Sequence, residues 1–308
     1  MNKDLKDYKE EFDFQEIISV LWSRKLLIAF FTSIAAILSV LYALSLPNIY
    51  TSKALLAPTS SEDSLTSKLG NYSSFAGLAG ISLPSGTSNK ASEAIERIQS
   101  YDFFVEHFLP FIKLEDLLAA KKWHQVKNQI EYDDKLFDIE NNEWVRLVKY
   151  PMLSKPSKQE AFIVYQEMLS VSQDNLTSFV SIQIDHISPY TAQNWLSIVI
   201  DNINHLMGDL DKESAVNSIA FLQQTAAKSN LTEIKTAVSS LIEGQMKILT
   251  LTETKDDYVF KTISSPIAPE QKSRPSRAQI CILATIMGLM IGIFASLLLN
   301  YFVVNLKK

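Results

Sequence analysis

Two apolar stretches lie almost at the opposite ends of this sequence and constrain its fold more than anything between them. Leu26 to Leu46 runs for 21 positions without a charged residue. Ala278 to Val304 is interrupted only by the uncharged polar residues Gln279, Thr285, Ser296 and Asn300. A helix rises about 1.5 Å per residue, so ~20 apolar residues match a hydrocarbon layer of roughly 30 Å. The pattern predicts a hairpin through a membrane: a short segment 1–25, a span over 26–46, an outer domain over 47–277, a second span over 278–304, and a tail 305–308. So short a tail is expected to hold no signalling output, which argues against a receptor.

The first stretch reads as a retained span and not as a cleaved leader. The segment before it is rich in Asp and Glu, and its exit, Leu46-Pro47-Asn48-Ile49-Tyr50, offers no small-x-small cleavage site. Arg24 and Lys25 precede the first span, and Lys307 and Lys308 follow the second. By the positive-inside rule these ends are expected to be cytoplasmic. Lys272, Arg274 and Arg277 argue the other way, but long loops translocate largely regardless of charge.

The single cysteine, Cys281, lies inside the second span, so the outer domain has no disulfide and must rely on its own core. A net charge of -5 gives no reason to expect nucleic acid as a partner. The N-x-S/T triplets at Asn71, Asn175 and Asn230 are short enough to arise by chance.

Along the outer domain, Ile49 to Ala57 is a β-prone run that Pro58 ends. Ser60 to Lys90 reads as a small-residue loop containing Gly70, Gly77, Gly80 and Gly86. It lacks the G-x-G-x-x-G spacing or the following lysine of a phosphate cradle. Helical spacing is predicted over Ser92–Phe111, over Leu114–Ile130, and from Lys155-Pro156-Ser157-Lys158 through Met168. Val180, Ile182 and Ile184 alternate with Ser181, Gln183 and Asp185, which marks a half-buried strand. Ser188-Pro189 is an N-cap followed by proline at the first helical position, opening a helix with its apolar stripe on Ala192, Trp195, Leu196, Val199, Ile203 and Leu206. A long helix is predicted over about 210–252, its seam (Leu231, Ile234, Val238, Leu241, Ile248) weakened by Asn217, Gln224 and Gln245. That helix is expected to lean on neighbours. Asp257 to Ile263 returns as a strand. The expected fold is an α/β (α+β) domain with a membrane-proximal sheet and a long extended helix, flanked by two transmembrane helices.

No catalytic motif accompanies this fold. H-E-x-x-H, G-x-S-x-G and a P-loop are all missing, and His107, His124, His186 and His205 show no ligand spacing. We expect no catalytic residue, no metal and no cofactor. In the second span Ala284, Gly288, Gly292 and Ser296 recur every fourth residue, a small-residue face that lets another helix approach closely. The first span's Ala29, Ser33 and Ile37 offer a weaker matching face, and a separate membrane protein is the alternative partner.

The segment before the second span, Ser265-Pro266-Ile267-Ala268-Pro269-Glu270-Gln271-Lys272-Ser273-Arg274-Pro275, resembles the proline-rich P-x-x-P-x-x-P-K-S-P segment of the Wzz chain-length determinant family. Pro266, Pro269 and Pro275 match. Lys272 stands for the third proline and Arg274 for the serine, which makes the segment less rigid than the family pattern. Leu21-Trp22-Ser23-Arg24-Lys25, Pro47-Asn48-Ile49-Tyr50, Gly77 to Pro84, Ser181 to Pro189, Leu241 to Lys247 and Tyr258 to Lys261 resemble other family segments in the same order.

The resemblance implies a non-catalytic regulator of O-antigen chain length in lipopolysaccharide, a polysaccharide co-polymerase of the Gram-negative inner membrane with a periplasmic domain. It implies a homo-oligomeric ring working with the membrane O-antigen polymerase on undecaprenyl-linked polysaccharide. Enterobacterial common antigen, capsule or exopolysaccharide remain alternative glycans, and a two-span ligand-binding receptor component is the rival outside this class.

Overall fold

The computed structural model describes residues 21–59, 87–228, 232–254 and 256–306. In chain order its elements are α1 (Lys25–Ser45), β1 (Tyr50–Pro58), α2 (Thr87–Ile98), helical turns over 101–111, and α3 (Leu114–Leu118). Two small hairpins follow, β2 (Ala120–His124) with β3 (Gln129–Tyr132), and β4 (Phe137–Asp138) with β5 (Glu143–Trp144). Then come α4 (Lys158–Met168), β6 (Leu169–Gln173), β7 (Val180–His186), α5 (Pro189–Lys228), α6 (Thr232–Thr254), β8 (Phe260–Ser264) and α7 (Arg277–Leu306). The chain forms two units: the pair α1 and α7, within 1–47 and 274–308, and a mixed domain over 48–273. The loop expected over 60–90 lies mostly outside the described residues.

The domain is organised by an antiparallel sheet in the order β6-β7-β1-β8. The period-two pattern decides which face is buried. Val180, Ile182, Ile184 and His186 of β7 go inside with Ser52, Ala54 and Leu56 of β1. The first half of α5 covers this face through Ala192, Trp195, Leu196, Val199 and Ile203. Phe104, Phe108 and Tyr165 complete the core, and Tyr165 satisfies its hydroxyl by donating to the Ile98 carbonyl at 2.8 Å. Each such large side chain contributes roughly 1.5–3 kcal/mol by burial.

The cap at Ser188 follows the sequence, and a second at Ser157 adds to it. Ser188 Oγ accepts from the Thr191 N–H at 3.4 Å at the start of α5. Ser157 and Glu160 form a complete capping box on α4. A Cβ on Gly208, midway along α5, would stand 3.7 Å from the Tyr258 ring, an ordinary packing contact. Asn204 is buried and clamps the last strand. Its Oδ1 accepts from the Val259 and Phe260 N–H groups, both at 2.9 Å, while its Nδ2 donates to the Phe260 carbonyl at 3.1 Å.

Two expectations are corrected. Residues 114–130 are not one helix: α3 ends at Leu118 and the chain turns into the β2–β3 hairpin. Asn128 adopts φ 47° there and its side chain accepts from the Trp123 indole N–H at 2.9 Å, so an asparagine does the work of a turn glycine. Nor is 210–252 one helix. Residues 210–228 complete α5, and α6 begins at Thr232 and folds back, bringing Glu253 into an ion pair with Lys212. Ala215 and Leu222 of α5 and Ala237, Val238, Leu241 and Gln245 of α6 are buried. The poor seam is therefore covered by the chain's own returning helix, and burial of these faces compensates for what either helix lacks alone.

Candidate functional site: the apolar helix pair and the proline segment

Both α1 and α7 are long and apolar enough to cross a membrane, and only 11% and 17% of their apolar windows are buried. That exposure separates them from core helices of a soluble domain, because Leu26, Phe30, Leu41, Met290 and Phe294 are all more than half exposed.

The helices pack on each other, and the small residues lie where they meet. Gly288, Gly292 and Ser296 are buried and Ala284 is partly buried, so the four fall on one face of α7. A Cβ on Gly288 would run into the Ala35 Cβ. One on Gly292 would stand 3.1 Å from the Ile28 Cα and 3.2 Å from its carbonyl oxygen. Backbones this close gain dispersion contacts that lipid cannot supply to both helices at once. The counterpart on α1 is Ile28, Thr32, Ala35, Ser39 and Ala43, not the expected Ala29, Ser33 and Ile37, which face outward. Ala35, Ser39 and Ala43 repeat every fourth residue just as Ala29, Ser33 and Ile37 do, so spacing alone did not select the face. The hydroxyls of Thr32, Ser39 and Thr285 donate to carbonyls of their own helices, at 2.8, 2.8 and 2.7 Å.

Arg277 has a structural task. Its Nε donates to the Ala43 carbonyl at 2.9 Å and an Nη to the Leu46 carbonyl at 3.3 Å. These are orphan acceptors at the C-terminal end of α1, where a cation is also favoured by the helix dipole. A charge that weighs against the orientation by simple counting is thus committed to joining the two helices.

The proline segment is held as an extended strap. Gln193 Nε2 donates to the Pro266 carbonyl at 3.1 Å, and Ser52 Oγ to the Ile267 carbonyl at 2.8 Å. The Ser273 N–H donates to the Ile49 carbonyl at 2.8 Å, and the Thr51 N–H to Ser273 Oγ at 3.2 Å. The prolines lack N–H groups, so Pro266 takes part through its carbonyl and the strap's backbone donor is Ser273. Pro266 and Pro269 lie on this strap, and Pro275 lies just before α7.

His186 is buried beside the sheet. Its Nδ1 accepts from the Ser188 N–H at 3.0 Å, which leaves Nε2–H to donate to the Asp116 carbonyl at 3.0 Å. Burial pushes its pKa below the usual histidine value, so it sits neutral as a structural link. Among the described residues no group of three His, Cys, Asp or Glu side chains is placed to hold a metal.

A sheet-based α/β domain and two helices long and apolar enough to cross a membrane define a mixed helix–sheet protein. Residues 10–107 match the family model of Wzz, chain length determinant protein, and the resemblance read from the sequence holds across that stretch. Among solved structures, the chain is similar to a "full-length bacterial polysaccharide co-polymerase", with 15% identity, a TM-score of 0.40, and coverage of 94% of this chain and 98% of that one. It is also similar to a "Fragment of WzzB, Polysaccharide Co-polymerase from Salmonella Typhimurium", with 14% identity, a TM-score of 0.30, and coverage of 74% and 100%. No curated protein matches.

Proposed function

We propose that this protein is a non-catalytic regulator of O-antigen chain length. It acts as an oligomeric co-polymerase beside the membrane polymerase that elongates lipid-linked glycan. The observation that carries the reading is the family match over residues 10–107, a stretch that contains α1, β1 and α2. The apolar pair and the strap around Pro266 and Pro269 support it. In this reading α1 and α7 cross the inner membrane and the domain over 48–273 lies in the periplasm. Arg24 and Lys25 at one helix end, and Lys307 and Lys308 near the other, favour that orientation.

Deletion of the gene is expected to leave polymer on a lipopolysaccharide gel but to replace its modal cluster by an unregulated ladder. Complete loss of polymer would assign the protein to elongation instead.

Assembly into a closed ring of identical subunits is part of the proposal. On the helical hairpin Val216, Phe221 and Met246 remain about half exposed, at 49%, 46% and 50%, although both helices already cover each other. Such residues suit a contact between copies. Cross-linking and light scattering of detergent-purified protein should give one discrete homo-oligomer. A monomer at micromolar concentration would contradict this.

A further inference from the structure

The domain over 48–273 contains an open cleft of about 680 Å³, lined from α3, the β4–β5 hairpin and the chain entering α4. Its volume is in the range of small-molecule sites. One wall is aromatic and firmly backed. Trp144, half-buried, meets the Phe137 ring at a centroid distance of 5.2 Å and 64°, and buried Phe137 meets Tyr132 at 5.7 Å and 75°. The Tyr132 hydroxyl donates to Asp116 at 2.5 Å, so the stack is anchored beyond the cleft.

The 154–158 part of the lining is fixed by Arg146, which pairs with Glu160 and donates to the carbonyls of Leu153 and Ser154, both at 2.8 Å. The Arg146 side chain, aided by the Ser157 N–H, holds the Glu160 carboxyl down at about 2. The fastened chain carries Lys155 and Lys158 into the lining, which also holds Glu115, Asn142 and Glu143.

This lining selects a ligand chemistry. Two acids and two bases cancel, so a polyanion such as a phosphate would meet carboxylates as readily as ammonium groups. An apolar peptide would strand those charges without partners. A saccharide satisfies both parts: its C–H face lies on an indole, and its hydroxyls donate to carboxylates and accept from ammonium and amide groups.

We propose that this cleft binds an uncharged oligosaccharide stretch of the growing glycan. Trp144 serves as the stacking platform, and Glu115, Asn142, Glu143, Lys155 and Lys158 bind the hydroxyls. The identity of the ligand rests on the functional reading above; the cleft and its chemistry do not.

The test titrates the full chain in detergent with lipid-free fragments of one to three repeat units, cut by mild acid from the host strain's surface polysaccharide. Binding is read by saturation-transfer NMR and calorimetry. Trp144→Ala should weaken binding by about tenfold, while Trp144→Phe should keep most of it. Glu115→Gln with Lys158→Ala, which leaves the aromatic wall intact, should also weaken binding at an unchanged melting temperature, and it decides the matter if Trp144→Ala fails to fold. Fragments that ignore the wild type, or that bind the folded variants as tightly as the wild type, overturn the proposal. If that happens while the deletion strain still loses its modal length, the cleft proposal fails and the functional one stands.

Discussion

Gly288→Ala is expected to push α1 and α7 apart, and Ala35→Gly in the same chain to let them close again. The added methyl would occupy the space of the Ala35 Cβ, which is fixed to backbone and cannot rotate away. Overpacking of this kind costs about 1–3 kcal/mol. In thermal unfolding of the detergent-solubilised protein, the single variant should melt lower and the double variant near the wild type. A Gly288→Ala protein that melts unchanged, or one that Ala35→Gly fails to rescue, would sink the packing assignment. For function, Gly288→Leu with Gly292→Leu is the stronger perturbation. At normal protein level it is expected to disturb modal length while the domain over 48–273 stays folded, because the contacts it breaks lie between the two apolar helices. An unchanged gel would separate this helix face from chain-length control.

The second large effect concerns Asn204→Ala. The substitution removes the acceptor of two buried backbone N–H groups, those of Val259 and Phe260, together with the donor to the Phe260 carbonyl. A buried donor left unpaired costs about 1–3 kcal/mol, so two cost roughly 2–6 kcal/mol. Against a total stability of about 5–15 kcal/mol that is a severe loss. Chemical denaturation followed by near-ultraviolet circular dichroism should show it, with β8 and the strap after it released first, as amide exchange at Phe260 would report. Wild-type stability in Asn204→Ala would mean that the last strand is held by its pairing with β1 alone.

Much of this architecture was legible in the residues. The two apolar runs, the alternation over Val180–His186 and the Ser188-Pro189 helix start are local signals, and local physics decides them. What the pattern hid was decided by tertiary contact. Leu117, Leu118, Val126 and Ile130 fall at spacings that read as helix, with no glycine or proline to break them, yet the chain turns at Asn128 through a conformation that asparagine tolerates. The helical stretch after Leu210 also lacks a breaker strong enough to reveal its return. Its partner proved to be α6 of the same chain, which a seam pattern cannot distinguish from another subunit. The packing face of α7 was legible because its glycines stand out among large side chains. That of α1 was not, since two small-residue repeats compete along the same helix. The role of Arg277 was missed because charge counting treats a helix-flanking arginine only as a topology signal, although the unpaired carbonyls at the end of α1 offered it partners. The cleft around Trp144 was not foreseen, because its walls come from 109–115, 137–144 and 154–158, segments separated in the sequence that only tertiary contacts bring together.

The central claim is tested most directly by adding this chain to a Gram-negative host that polymerises O-antigen but lacks a length regulator of its own. Repeat number is then read band by band on a lipopolysaccharide gel, with the protein verified in the inner membrane. The account predicts that the unregulated ladder condenses into a cluster around one repeat number and that the total polymer is little changed. A ladder that keeps its unregulated distribution while the full-length protein is present and oligomeric would contradict it.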